Sequence, residues 1–316
     1  MDSREKDVLM RDSLVFIGGS GRSGSTLLEL LLNQNSLIRS VGEFFRLSQY
    51  ARTNLEPCTC GRPVMECPFW LEVQAELQRT TGEHSDPQLL KSFEVSLPKH
   101  ELGMVTNLVQ RASLVLGNPW LHRSISRRFL RRTYQTVQNS MVIYEVIRRV
   151  THCPVILEST KVPRRLKELY LADPRSFKLI YLIRDGRAVA ASAMRRIGMD
   201  MKTAAGEWER WNRRSWWAQL TVPARQKIRI RYEDICQSTE PTLQSICQFL
   251  EIPFEQSMLE LRKSESHSLG GNPMRFRQEE STIRLDEQWR EQLTEKDLSI
   301  FNSVAGRMNR RFGYTS

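Results

Sequence analysis

Nine residues near the start of this 316-residue chain, Gly18-Gly19-Ser20-Gly21-Arg22-Ser23-Gly24-Ser25-Thr26, have the types and spacing to hold an anion. An apolar run, Leu14-Val15-Phe16-Ile17, precedes them and an amphipathic segment, Leu27-Leu28-Glu29-Leu30-Leu31-Leu32, follows. That order predicts strand, glycine-rich turn, helix. Such a turn aims backbone N–H groups and the positive end of a helix at a phosphate. From Gly19 the run reads G-x-x-x-x-G-S-T, whereas loops that hold a triphosphate read G-x-x-x-x-G-K-[ST]. Ser25 occupies the place of the lysine that reaches the β- and γ-phosphates. The loop therefore reads as a cradle for a nucleotide that lacks a γ-phosphate.

A second group of residues could bind another phosphate. Lys178-Leu179-Ile180-Tyr181-Leu182-Ile183 has the pattern of a buried strand, Arg184-Asp185-Gly186-Arg187 follows, and Ala188 to Met194 reads as a helix. Arg184 offers a planar donor fork at the strand end, and Ser192 adds a hydroxyl from the helix. Taken alone, an Arg-Asp pair after a strand is often only a loop ion pair. Glu43, in Ser40-Val41-Gly42-Glu43-Phe44-Phe45-Arg46-Leu47, follows another apolar run. A carboxylate there, beside the cradle, could take the proton of an acceptor hydroxyl; the competing reading is a helix-terminal or ion-paired Glu.

These residues need a scaffold that brings strand ends together. Five apolar runs read as strands: Leu14 to Ile17, Leu37 to Val41, Val155 to Leu157, Leu179 to Ile183 and Ile228 to Tyr232. Helical patterns lie between them, which predicts an α/β fold with a mostly parallel sheet flanked by helices. Ligands bind beyond the carboxyl ends of strands in such sheets. The glycine loop, Gly42-Glu43, Glu158-Ser159-Thr160-Lys161 and Arg184 to Arg187 all stand at those ends. Residues 70–150 show no convincing strand and read as a helical insert within a single domain spanning 1–316, covering the ligand end and shaping an acceptor pocket. Thr294-Glu295-Lys296-Asp297 reads as a capping box, and Ser238-Thr239-Glu240-Pro241 as a second helix start.

Together the two phosphate motifs point to 3′-phosphoadenosine 5′-phosphosulfate (PAPS), and here the chain resembles the PAPS-dependent sulfotransferases, whose nucleotide site is of the P-loop type. Val15 to Leu28 looks like that family's 5′-phosphosulfate loop, and Tyr181 to Ser192 like its 3′-phosphate motif. The R-S-G-[ST]-[ST] form is nearer the carbohydrate and tyrosylprotein branches. The resemblance implies that Gly21, Arg22, Ser23, Gly24, Ser25 and Thr26 hold the 5′-phosphate and that Arg184 and Ser192 hold the 3′-phosphate. It makes Arg22 and Lys161 the cations that stabilise the leaving group, with Glu43 as general base, matching a G-E-x-x-R-[IL] stretch of the tyrosylprotein branch. Tyr232, in Arg231-Tyr232-Glu233-Asp234, resembles the residue that contacts adenine. The run from His267 to Arg277 looks like the late basic loop over the 3′-phosphate, with Arg275 and Arg277 unranked and Arg284 a further contact. The implied activity is sulfuryl transfer to a hydroxyl or amine acceptor, be it sugar, lipid, peptide or small molecule, with no metal required.

Composition narrows the classes without choosing among them. Hydrophobic residues make up 40% and charged residues 26%, and the net charge is +11, which favours anionic ligands. A small-molecule kinase is the rival enzyme reading, with Asp185 as the one tempting magnesium carboxylate, and a basic nucleic-acid-binding protein is the non-enzyme rival. Nucleic acid is not the expected partner. Arg123, Arg127, Arg128, Arg131 and Arg132 form a basic stripe compatible with a solvated face, an anionic acceptor or a membrane surface. Trp208, Trp211, Trp216 and Trp217 recur at near-helical spacing and read as core. The lack of a long apolar run or signal-like start gives a cytoplasmic expectation. Cys153, Cys236 and Cys247 read as buried thiols. Cys58, Cys60 and Cys67 form C-x-C-x6-C with no fourth ligand nearby, His84 being the closest His along the chain, and so read as a turn-rich loop with a local disulfide rather than a metal site.

Overall fold

The computed structural model describes residues 12–83, 86–96, 124–125, 127–128, 130–261, 265–276 and 282–315. All five apolar runs become strands: β1 Ser13–Gly19, β2 Ile38–Gly42, β3 Val155–Lys161, β4 Phe177–Ile183 and β5 Lys227–Arg231. They form one sheet in the order β2-β3-β1-β4-β5, and every pairing is parallel. Tyr232 does not end the fifth strand but begins the helix after it.

Sheet burial follows from the side-chain period of two. Leu14 and Phe16 of β1 join a core on one face, and Val15 and Ile17 join a core on the other. A strand buried on both faces has no polar positions to spare, which is why β1 reads as an unbroken apolar run. One face is covered by helices α1 (Ser25–Leu32), α8 (Tyr232–Gln237) and α9 (Thr239–Leu250), through Leu28, Ile235 and Leu243 among others. Helices that contribute to the core on the other face include α3 (Pro68–Thr81), α4 (Arg131–Thr151), α5 (Pro163–Ala172), α6 (Gly186–Ile197), α7 (Met201–Gln219) and α10 (Glu295–Arg311). Helix α2 (Leu47–Thr53) follows a short turn after Glu43.

β1 sits between β3 and β4, so the chain leaves it toward one side of the sheet and returns on the other. The crevice beyond β1 is the topological switch point where ligands bind in open α/β sheets. Registers put the strand ends level there: Gly18 pairs with Lys161, Gly19 with Leu182, and Ile183 with Arg231. A register shift in β3 lets its chain reach that level at Lys161, which adopts a left-handed φ of 63°.

Within 70–150 the described residues contain helices and no strand. Trp70 and Tyr144 from this segment share one core with Phe44 and the sheet. Residues 97–123, including Arg123, lie outside the described residues. The helix starts divide. Thr294 and Asp297 make a reciprocal capping box on α10, whereas Ser238 precedes α9 without a side-chain cap bond. Among the tryptophans, Trp208 packs between Phe301 and Phe312, and Trp217 is exposed. No helix among the described residues is long and apolar enough to cross a membrane.

Candidate active site

The glycine loop leaves β1 and turns straight into α1. Ser20 and Ser23 share a hydroxyl–hydroxyl bond of 2.7 Å across the turn, and Trp211 of α7 donates to the Gly19 carbonyl at 2.7 Å. Gly24 caps α1 with φ 88°, and a Cβ there would lie 2.3 Å from the Tyr232 ring. Only glycine meets both conditions, so the tyrosine can press against the loop while the N–H groups of the first α1 turn stay open.

Arg22 is the cation of this loop, in a left-handed conformation with φ 65°. Its Nη1 donates to Ser192 Oγ at 3.3 Å, and its carbonyl accepts from Arg184 Nη1 at 3.2 Å. Burial first, and then Arg196 and Arg195, lower the pKa of its guanidinium. Arg184 lies 4.1 Å over the Tyr232 ring, pairs with Asp286 at 3.2 Å and keeps a buried Nε without a hydrogen-bond partner. Asp185 is not paired with Arg184. It caps α6 by accepting from Arg187 N at 2.9 Å, pairs with the Arg187 guanidinium at 2.7 Å and accepts from Asn309 at 3.2 Å.

At the other side of the crevice, Glu43 follows β2. Lys161 Nζ lies 3.1 Å from its Oε1, and Arg46 Nε lies 3.0 Å from its Oε2. Burial would raise the carboxyl pKa, but Lys161 and then Arg46 more than offset it and hold the group below its ordinary value. Lys161 also donates to the Ser159 carbonyl at 2.8 Å.

These groups line one cavity of about 1070 Å³. Gly21, Arg22, Gly24, Ser25 and Thr26 form one part of its wall, Arg184, Ser192 and Tyr232 another, and Glu43 and Lys161 a third. Ser23 does not line it; its side chain is buried in the bond to Ser20. Arg275 departs from the expected phosphate contact. Its guanidinium is turned away to Glu56 at 2.7 Å and to the Gly270 carbonyl, because that buried cation finds its partners behind the loop. Arg277 lies outside the described residues. The loop itself docks on β2 and α1 rather than on Arg184 and Ser192. Leu269 bridges to Gly42, Glu43 N donates to the Leu269 carbonyl at 2.6 Å, and Asn272 N donates to Thr26 Oγ1 at 3.1 Å. None of the described residues of 70–150 lines the cavity, so the expected pocket-shaping role is not seen in that part of the segment.

The family model described as the sulfotransferase family matches residues 14–256. The chain belongs to the sulfotransferase family. No curated protein matches it significantly. Among solved structures it is similar to the sulfotransferase domain of the Synechococcus PCC 7002 olefin synthase, with 18% identity, TM-score 0.53 and 100% of both chains covered. It is also similar to the sulfotransferase domain from the curacin biosynthetic pathway, with 18% identity, TM-score 0.56, and 96% of this chain and 99% of that one covered. At such identities the likeness establishes the α/β fold.

The sulfotransferase cavity holds residues that sequence reasoning passed over. Arg195 and Arg196 line it from α6, and Arg284, a secondary candidate, lines it as well. Arg195 and Arg196 stand three and four residues after Ser192, the spacing that shares a helix face, and this signal was available. Asp286 had no such signal, because its partner Arg184 is far away along the chain. The cysteine expectation needs correcting too: Cys58, Cys60 and Cys67 are free thiols, with Cys67 Sγ 3.6 Å from each of the other two.

Proposed function

We propose that this sulfotransferase takes PAPS as donor and transfers its sulfuryl group to a hydroxyl or amine acceptor, releasing adenosine 3′,5′-bisphosphate. The observation that carries the reading is the Glu43–Lys161 pair standing in the same cavity as the glycine loop and the Arg184–Ser192 wall. The residues fit a donor charged at both ends. Six cationic side chains face two carboxylates along the cavity wall, and the buried Arg184 Nε is an unused donor. The volume lies just above the roughly 300–1,000 Å³ usual for small-molecule sites, room for a nucleotide and an acceptor together.

The donor supplies the electrophilic sulfur and a phosphate leaving group. Glu43, ionised at neutral pH, takes the proton of the acceptor hydroxyl. Neutralising Glu43 weakens its pair with Lys161, so the ammonium is released to the charge developing on the departing phosphate. Arg22, held by Ser192, adds a second cation at the loop. The first α1 turn holds the 5′-phosphate with its N–H groups and the Ser25 and Thr26 hydroxyls, and Arg184 and Ser192 hold the 3′-phosphate.

Calorimetry with adenosine 3′,5′-bisphosphate and with ATP–Mg tests the donor, and an acceptor screen with radiolabelled PAPS, read by product mass, tests transfer. The bisphosphate is expected to bind more tightly. Tighter binding of ATP–Mg would favour the kinase alternative, although Asp185, its candidate magnesium carboxylate, is committed to capping α6.

A further inference from the structure

The C-x-C-x6-C loop has a fourth member that its sequence neighbourhood does not contain. His267, 200 residues beyond Cys67, turns its Nδ1 to the Cys67 sulfur at 3.3 Å and to the Cys58 sulfur at 3.8 Å. The Cys60 and Cys58 sulfurs each lie 3.6 Å from that of Cys67, and all four ligand atoms fall within 4.8 Å of one another. We propose that Cys58, Cys60, Cys67 and His267 form a structural zinc site that fixes the loop from His267 to Asn272 over the active site.

Geometry carries the assignment. Zinc bonded tetrahedrally to sulfur at about 2.3 Å and to imidazole nitrogen at about 2.0–2.1 Å sets ligand-to-ligand edges of about 3.8 Å between sulfurs and about 3.5 Å between sulfur and nitrogen. The observed separations match those edges, while a disulfide requires sulfurs at about 2.05 Å. The surroundings suit metal ligands. His267 Nε2 faces the Glu265 carboxylate at 3.4 Å, the outer partner that orients a ligating imidazole, and the ring stacks on Phe69 at 5.1 Å. Trp70 Nε1 holds the His267 carbonyl at 3.1 Å. Four protein ligands close the coordination shell, which makes the site structural rather than catalytic.

Its place in the fold gives it a task. Thr59, between two of the cysteines, bonds the Ser268 carbonyl through its N–H at 3.1 Å. The next residues of that strand-like strap, Leu269 to Asn272, hold Glu43 and Thr26 by backbone bonds. A metal at the four ligands would anchor the strap at its start, so that Glu43 faces the cavity from a fixed backbone.

The test does not depend on donor or acceptor. The full chain, purified without chelator under reducing conditions, is expected to carry about one zinc per chain by elemental analysis. Cobalt exchanged into the wild-type protein should give the intense visible bands and sulfur-to-metal charge transfer of a tetrahedral thiolate site. Cys67→Ser should lower zinc content at least tenfold, and His267→Cys should retain it, which separates ligand loss from misfolding. Zinc below about a tenth of an equivalent after equilibration with the metal, or cobalt bound without thiolate charge transfer, overturns the proposal. So does a disulfide between any two of the three cysteines that persists in the protein as purified.

Discussion

Glu43 is held between two opposing demands. A general base must be ionised, and a carboxylate in a partly closed cavity resists ionisation; Lys161 and Arg46 resolve this by standing 3.1 and 3.0 Å away. In the proposed reaction Glu43→Gln keeps the shape and removes the base, so turnover should fall by about 10²–10⁴ while adenosine 3′,5′-bisphosphate affinity does not fall, as read by steady-state kinetics and calorimetry. The pH dependence has a definite sign. Because the folded carboxyl titrates below its ordinary 4.5, it stays ionised through the neutral range, and the acid limb of the rate should lie below that value. The same depression contributes stability that is present above the unfolded pKa and lost as pH falls through the folded one. Arg46→Ala removes one of the two cations, so the acid limb should move to higher pH; a profile that does not move would count against Glu43 as the titrating base. The place of Glu43 at the cavity was legible from its position after an apolar run, but the ion pair with Lys161 was not. It joins residues 118 apart, through a register shift that no local pattern announces.

At the level of elements, β3 carries a structural residue, Glu158, three positions before Lys161, the proposed leaving-group cation. Glu158 is fully buried and bonds to Arg165 of α5 and to the Tyr144 hydroxyl of α4, while Arg165 also bonds Tyr144 at 2.9 Å. The network ties the strand that ends in Lys161 to two helices. Removing one partner strands a buried charge, so Arg165→Ala should destabilise the fold by about 3–5 kcal/mol in denaturant unfolding. Replacing Glu158 and Arg165 together with Leu and Met should recover most of that loss, because no unpaired charge remains. A second element-scale test concerns the loop–helix junction. Gly24→Ala places a methyl against the Tyr232 ring in a left-handed backbone, and nucleotide binding should drop more than tenfold in calorimetry with the sheet intact. The strands were readable because parallel strands buried on both faces become apolar runs. The helix start at Ser238 was readable, but not that its hydroxyl makes no cap bond, because a hydroxyl before a helix only permits a cap. The pairing of residues 58–67 with His267 was invisible because it exists only after the β2 and glycine-loop ends have been brought together.

Over the whole molecule, 47 basic residues outnumber 36 acidic ones, a surplus that by itself suits a nucleic acid as well as a nucleotide. What separates the two is where the fold collects charge. The cavity draws Arg22 from the β1 loop, Lys161 from β3, and Arg184, Arg195 and Arg196 from β4 and α6, around a recess rather than along a face. The proposed pair of phosphate sites in this recess predicts a ligand whose two phosphates are read separately. Arg184 stands on only one of them. Arg184→Ala should therefore weaken adenosine 3′,5′-bisphosphate by roughly ten- to hundredfold, the range expected for losing hydrogen bonds to a charged group, and leave adenosine 5′-phosphate nearly unchanged. Asp286 sharpens the contrast. Once Arg184 is gone its carboxylate is left in the cavity wall without that partner, and it repels the phosphate bound nearest to it. Calorimetry of both ligands on both proteins gives the ratio directly. If the substitution weakens the two nucleotides equally, Arg184 contributes only to a diffuse field, and the cavity does not distinguish a 3′-phosphate.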